Sequence, residues 1–317
     1  MDRRLQRVAL AAGGTLFGLL LAEGGWRALR TSDYGPTTNP RYVPTDPALG
    51  WRYRPSARAR HRSDDFDVGI ELNAQGFRDA PFEPRSERPR VVALGDSLTF
   101  GWGVEAAEGF TARLEQRLGV EVLDLAVCGY GTDQELLLWE RDGRALQPDL
   151  VLLTVCENDL WEISRPAAYG RLKPFFTLRD GALVPGGAPV PDPLAARCSH
   201  LVRSLWAWSV KRSTPPLALD ERPAAAALQC ALIARLASEV AADGARLLVV
   251  VDGQDAAAGC LREPAAWPVV DVAPALEAAA RDGPVRFAHD PHWTARGHQA
   301  VADAIAARLV ELGWPAS

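Results

Sequence analysis

Four short segments of the 317-residue chain gather the side chains that could do chemistry. Gly95-Asp-Ser-Leu-Thr-Phe-Gly-Trp-Gly103 offers a hydroxyl at Ser97. Cys128-Gly-Tyr-Gly-Thr-Asp-Gln134 offers glycine N–H groups. Cys156-Glu-Asn-Asp159 offers an amide at Asn158. His289-Asp-Pro-His-Trp-Thr-Ala-Arg-Gly-His298 offers three imidazoles and a carboxylate. An alkyl alcohol is a poor nucleophile until a base takes its proton. Its attack on an acyl carbon creates an oxyanion that needs preorganised donors. Each residue also has a plainer reading: Ser97 as a helix N-cap, the glycines as tight turns, Asn158 as an Asx turn.

The elements around these segments decide whether they can meet. Val91–Leu94 is a short apolar run that ends in Gly95, which reads as a buried strand. Val120–Val127, Leu150–Val155 and Arg246–Val251 read the same way, and Val269–Asp271 as a weak strand. Helical patterns fill the intervals at about 108–118, 132–146, 224–242 and 294–312. Nearly continuous apolar strands alternating with helices predict an α/β fold whose parallel sheet is covered on both faces. Such sheets carry their sites at the carboxyl ends of the strands, where the first three segments fall, and the last loop can close over them. Residues 162–223 break the alternation with Pro, Gly and aromatic residues and are expected to form an insertion or cap near the site. Residues 31–88 read as an irregular lead-in packing on the main domain, with Val68–Leu72 as a short strand and Asn73–Gly76 as a turn. A stalk is the alternative for that stretch.

The four segments, in this order on this pattern, resemble the conserved blocks of the SGNH (GDSL-like) hydrolase superfamily, most closely its bacterial membrane-associated branch with an N-terminal anchor. Leu49-Gly-Trp-Arg52 and Asn73-Ala-Gln-Gly-Phe-Arg-Asp79 are similar to that branch as well, so the resemblance spans roughly residues 45–312. It implies a three-layer α/β/α flavodoxin-like fold, here a hydrolase domain over 89–317, and Ser97 as nucleophile. It implies oxyanion donors from the Ser97 N–H, the Gly129 N–H (Gly131 being the alternative) and the Asn158 side chain. One departure stands in the third block, where Cys156 replaces the usual glycine; a small buried residue is expected there rather than a second nucleophile. The other departure concerns the base. The family places Asp three residues before the catalytic His, but His289 stands three before His292, and Asp290 stands two before it. An Asp-Pro-His spacing resembles a variant among membrane-associated and acyltransferase relatives. The expectation is therefore His292 as base and Asp290 as its partner, His289 lining the loop and His298 in a surface or packing role. A two-residue Ser–His arrangement with Asp290 structural stays open. His61 and His200 match no block. Asp96 and Asp159 are expected to tie loops together, and Trp102, Trp161 and Trp293 to line a pocket or fill core.

A net charge of −5 and a pI near 5.6 leave no basic footprint, which excludes nucleic acid as a partner. No Cys/His cluster has metal-site spacing, and no segment calls for a metal or organic cofactor. At the N-terminus, Arg3, Arg4 and Arg7 precede a charge-free run from Val8 to Ala22. Residues 1–30 are read as a membrane anchor with the catalytic body outside the cytoplasm, periplasmic or on the outer face, or else as a cleaved signal. Five cysteines leave at least one unpaired. In an exported domain a Cys198–Cys230 disulfide is one possibility and free thiols throughout the other. The expected activity is hydrolysis of an acyl ester, on a small molecule or an envelope carbohydrate or lipid, through an acyl-enzyme. Acyl transfer to a sugar hydroxyl would use the same residues, and a degenerate envelope-binding protein is the non-enzymatic alternative.

Overall fold

A computed structural model describes the chain except for residues 1–2, 30–41, 86, 193–198, 216, 254–258, 263–265 and 315–317. It opens with helix α1 (Arg3–Leu29), whose stretch Gln6–Gly25 is long and apolar enough to cross a membrane and has no residue buried against the rest of the chain. From Tyr42 the chain forms two small antiparallel pairs, β1 (Thr45–Asp46) with β2 (Gly50–Trp51) and β3 (Arg58–Arg62) with β4 (Asp67–Glu71). The main sheet then begins: β5 (Arg90–Leu94), helices α2 (Ser97–Phe100) and α3 (Phe110–Leu118), β6 (Glu121–Asp124), α4 (Thr132–Leu138), β7 (Leu150–Val155) and α5 (Glu157–Ile163). The insertion follows as two hairpins, β8 (Ala167–Ala168) with β9 (Arg171–Leu172) and β10 (Phe175–Arg179) with β11 (Ala182–Gly186), and helix α6 (His200–Arg212). The chain ends with α7 (Arg222–Ala242), β12 (Arg246–Val251), β13 (Val269–Asp271), α8 (Ala273–Ala279) and α9 (Ala295–Glu311).

Five strands make one parallel sheet in the order β13-β12-β7-β5-β6. Side chains alternate across a strand, so each one feeds two cores. Val92 and Leu94 of β5 join Leu153 and Val249 in the layer that holds Leu136 of α4 and Leu232, Ile233 and Leu236 of α7. Val91 and Ala93 join Leu152 and Leu248 in the layer that holds Leu114 of α3 and Val301 and Ile305 of α9. This is the three-layer α/β/α arrangement, and it explains why the strands read as unbroken apolar runs.

The lead-in packs against the site end of the sheet. Arg78, 5% exposed, donates to the carbonyls of Phe100, Gly101, Gly69 and Val104 at 2.7–3.1 Å, so one guanidinium fixes the loop after Ser97 to strand β4. Asp79 accepts from the Asp124 N–H at 2.8 Å. The Trp51 indole donates to the Cys128 carbonyl, Tyr53 Oη accepts from the Cys128 N–H, and Gln134 donates to the Leu49 carbonyl. The segments 49–52 and 73–79 thus brace two of the strand-end loops.

Two details differ from the sequence expectation. Cys230 on α7 is bonded to Cys260, with a Cα–Cα distance of 5.8 Å, and not to Cys198, which lies outside the described residues. Spacing along a chain cannot choose a partner; the pairing follows from α7 lying beside the loop after β12. The helix expected over 132–146 keeps its direction but widens into a π-turn at Trp139–Gly143 and tightens into a 3₁₀ turn at Arg144–Leu146. The Trp139 ring lies against Gly143, where a Cβ would come within 2.7 Å of it.

Candidate active site

Strand β5 delivers the first segment. Gly95 has no room for a side chain, since a Cβ there would fall 2.1 Å from Thr99 Oγ1. Asp96 caps α2, accepting from the Leu98 N–H at 3.0 Å, and this sharp start leaves Ser97 half-buried at the first helical position. The N–H groups of a first helical turn have no partner inside the helix. Val127 N–H donates to the Gly95 carbonyl at 3.1 Å, which holds the second segment beside the first. Gly129, two residues on, adopts φ 76°, a left-handed turn that glycine makes without strain. Gly131 has a different reason: a Cβ there would sit 3.0–3.1 Å from Glu162 and Ile163, so it admits α5 at close range.

The fourth segment is a tight loop folded back on itself. Phe287 N–H bonds to the His292 carbonyl and Thr294 N–H to the Val285 carbonyl, at 3.2 and 2.9 Å. Asp252, just past β12, accepts from Arg286 at 2.6 Å and from the Trp293 indole at 2.9 Å. Trp293 is therefore core beneath the loop and not pocket wall. The result is a hydrogen-bonded line. His292 Nε2 lies 2.7 Å from Ser97 Oγ, and His292 Nδ1 faces Asp290 Oδ1. Asp290 Oδ1 also accepts from the His292 N–H at 2.9 Å, and Oδ2 from the Trp102 indole at 3.0 Å. Partial burial would raise the Asp290 carboxyl, but the hydrogen bonds from His292 and Trp102 outweigh it and hold it at about 2. That carboxylate stays charged at neutral pH. An imidazole so held can take a hydroxyl proton and be stabilised as the cation.

The other histidines lie elsewhere. His289 is exposed, and its ring and N–H both pair with Asp65 at 3.0 Å. His298 is buried and accepts from the Phe110 N–H at 3.2 Å, and burial pushes it down to about 3. His61 is buried edge-on against Trp102 at 4.3 Å, and burial lowers it to about 4.

Asn158 is tied to Asp96, the neighbour of Ser97. Its Nδ2 donates to Asp96 Oδ2 at 3.0 Å and to Glu162 Oε1 at 2.9 Å. Tyr169 Oη donates to the same Glu162 oxygen. Cys156 Sγ lies 3.0 Å from Asn158 Oδ1 and 3.3 Å from Asp96 Oδ2. Burial, reinforced by the Asp96 and Asp159 charges, raises the Cys156 thiol well above its ordinary value, so it is not a thiolate nucleophile. Asp159 ties off its own loop by accepting from the Cys156 N–H at 2.7 Å. Among the described residues no cluster of His, Cys, Asp and Glu could hold a metal ion.

Residues 93–300 match the family model of the GDSL-like lipase/acylhydrolases. The chain belongs to that family. It is an SGNH-type esterase. Solved structures with a similar fold include TesA, at 15% identity and TM-score 0.43 over 70% of this chain and 99% of that one. The esterase EstA from Pseudoalteromonas sp. matches at 11% identity and TM-score 0.43, over 70% and 97%. Axe2, an acetylxylan esterase from Geobacillus stearothermophilus, matches at 17% and 0.41, over 72% and 96%. None of these likenesses bears on this chain's substrate. No curated protein sequence matches the chain.

In this GDSL-like hydrolase, three neighbours of the site had no sequence signal of their own: His61, Glu162 and Tyr169. Trp102 had one, as an aromatic in the first block. Its ring stacks on His292 at 4.9 Å and 19° while its N–H holds Asp290, so it orients both. Trp102→Phe keeps the stack and removes the hydrogen bond. A bond to a charged acceptor contributes roughly 1.5–3 kcal/mol, so kcat should fall about tenfold to a hundredfold while KM changes little. Steady-state kinetics on a soluble ester check it; an unchanged kcat would reduce Trp102 to a wall of the pocket.

Proposed function

We propose that this esterase works through an acyl-enzyme on Ser97. His292 takes the Ser97 proton as Oγ attacks the ester carbonyl, then returns it to the leaving alcohol. Asp290 fixes the ring tautomer and stabilises the imidazolium. The oxyanion is received by the N–H groups of Ser97 and Gly129 and by Asn158 Nδ2. In the resting site both Asn158 N–H bonds go to carboxylates, so the arriving oxygen takes one of them over; such rearrangements are usual between free enzyme and complex. Water activated by His292 then releases the acid. The observation that carries this reading is the 2.7 Å approach of His292 Nε2 to Ser97 Oγ, with Asp290 on the opposite ring nitrogen.

The substrate in this reading is an acyl ester of an envelope carbohydrate or lipid. Its support is α1, a helix whose charge-free run Val8–Ala22 follows three arginines in its first turns and would tether the catalytic body at a membrane and outside the cytoplasm. The test is labelling with a fluorophosphonate, followed by mass mapping of the adduct and a screen of acyl chain lengths on nitrophenyl esters. The adduct is expected on the peptide that contains Ser97. An adduct elsewhere, or none on an enzyme that turns over esters, would remove Ser97 as nucleophile.

A further inference from the structure

Outside α1, four of the eight large apolar side chains exposed among the described residues lie on one helix, while the others are scattered singly. On α6, Val202 is 38% exposed, Leu205 57%, Trp206 39% and Trp208 58%. The helix is otherwise well placed on the body: Val210 is buried, and Ala207 packs so closely on the β8–β9 turn that a Cβ at Gly170 would lie 3.1 Å from its own. The exposed apolar side is therefore not the face the fold needs. Adjacent exposed side chains of this size are unusual on a soluble surface and mark a contact with something apolar.

What that contact is follows from where α6 begins. Ser199 Oγ and the Leu201 N–H both donate to Glu23 Oε2, at 2.8 and 2.9 Å. Glu23 is the first charge after the run Val8–Ala22 on α1. The start of α6 is thus fixed at the level where the apolar run ends. Its composition fits an interface: no acidic residue between His200 and Arg212, exposed Lys211 and Arg212 at its end, and the Arg212 guanidinium over the Trp208 ring at 4.9 Å. Tryptophan settles at the headgroup level, and basic side chains there meet lipid phosphates. A helix of this length, about 20 Å, with an apolar side and cationic residues can lie in the plane of a bilayer surface.

We infer that α6 is a second membrane contact, lying in the headgroup layer of the bilayer that holds α1, with Leu205, Trp206 and Trp208 in lipid. The inference rests on the reading of α1 as an anchor. It also sets the site close to the bilayer: α6 packs on the β8–β9 turn, whose Tyr169 bonds Glu162 beside Asn158.

The test uses the full chain in nanodiscs of phosphatidylethanolamine and phosphatidylglycerol, with nitroxide labels at Trp208→Cys, Phe17→Cys and Asp180→Cys and the signal of equally treated parent protein subtracted. Asp180 is an exposed turn residue and serves as the aqueous reference. Leu205→Cys stands in if Trp208→Cys misfolds, with ester turnover as the check of folding. Collision with oxygen, which partitions into lipid, is compared with collision with a nickel chelate, which does not. The oxygen-to-nickel ratio at 208 and at 17 is expected to exceed that at 180 severalfold. A high ratio at 17 with an aqueous ratio at 208 would overturn the α6 contact and leave the anchor standing. An aqueous ratio at 17 would overturn the anchor and this inference with it. Shielding of 208 from both reagents, as between two copies of the chain, would overturn the lipid contact as well.

Discussion

Ser97→Ala is expected to lower ester turnover by about 10⁶-fold, the scale on which removing a serine nucleophile acts in a triad enzyme. Several features make the loss so large. No neighbouring group can replace the hydroxyl: Cys156 is held as a thiol by burial, and Asp96 is engaged by Leu98 and Asn158. The fold should be untouched, because among the described residues Ser97 Oγ hydrogen-bonds with His292 and, at 3.4 Å, with Asp96, while the cap of α2 belongs to Asp96. About 10³–10⁴ over the uncatalysed rate should persist, from donors that still receive the oxyanion. Adding His292→Ala to Ser97→Ala should therefore cost almost nothing more, since the two act as a unit. Single-turnover kinetics on an activated ester would read both. Multiplicative losses in the double variant would mean that Ser97 and His292 do not share one proton transfer.

How much of this was readable beforehand depends on the kind of signal. Buried parallel strands leave the plainest trace: β5, β7, β12 and β13 lie within a residue of the apolar runs, because both faces of each strand are core. Strand β6 ends at Asp124, earlier than the run to Val127. The apolar residues 125–127 are buried in the turn toward the site, with the Ala126 N–H bonded to the Asp124 side chain. Strand β3, Arg58-Ala-Arg-His-Arg62, was invisible, since it pairs only with β4 and carries charge on its open side. Helix α5 was missed because it is two turns long and starts inside a catalytic-type block. In the candidate site, Ser97, Asp290 and His292 were legible through the resemblance of their blocks to the SGNH hydrolases, since taken singly such residue types also have plain structural readings. The groups that position them were not. Glu162 lies one turn from Asn158 on α5, with Tyr169 bonded to it from the following hairpin, and such an i, i+4 pair carries no functional mark by itself, whereas Trp102 reaches Asp290 across 188 residues of sequence. Contacts of that range are created by the fold and have no local pattern to read.

The assignment of the base is the second place where a large effect is expected, and the three variants His292→Ala, Asp290→Ala and His289→Ala separate the alternatives. His292 faces Ser97 directly, so its removal should match Ser97→Ala, near 10⁶-fold in kcat. Asp290 acts through the ring, and a lost orienting carboxylate costs about 10⁴-fold in comparable triads. Part of its role is taken here by the Trp102 stack, which holds the ring plane without the carboxylate, so the loss should not exceed that figure. If Asp290 were only a structural cap of the loop, as a two-residue Ser–His arrangement would have it, the loss would be tenfold or less, with a drop in melting temperature instead. His289 is exposed and bound to Asp65, and its loss should change turnover less than about threefold, within the 0.2–1 kcal/mol scale of a surface pair. The three rates, measured on variants with equal thermal midpoints, should therefore rank His292, Asp290, His289 from most to least damaging. A His289→Ala loss larger than that of His292→Ala would require the loop to turn over and present the other imidazole to Ser97, and the hydrogen bonds from Arg286 and Trp293 to Asp252 are what oppose that turn.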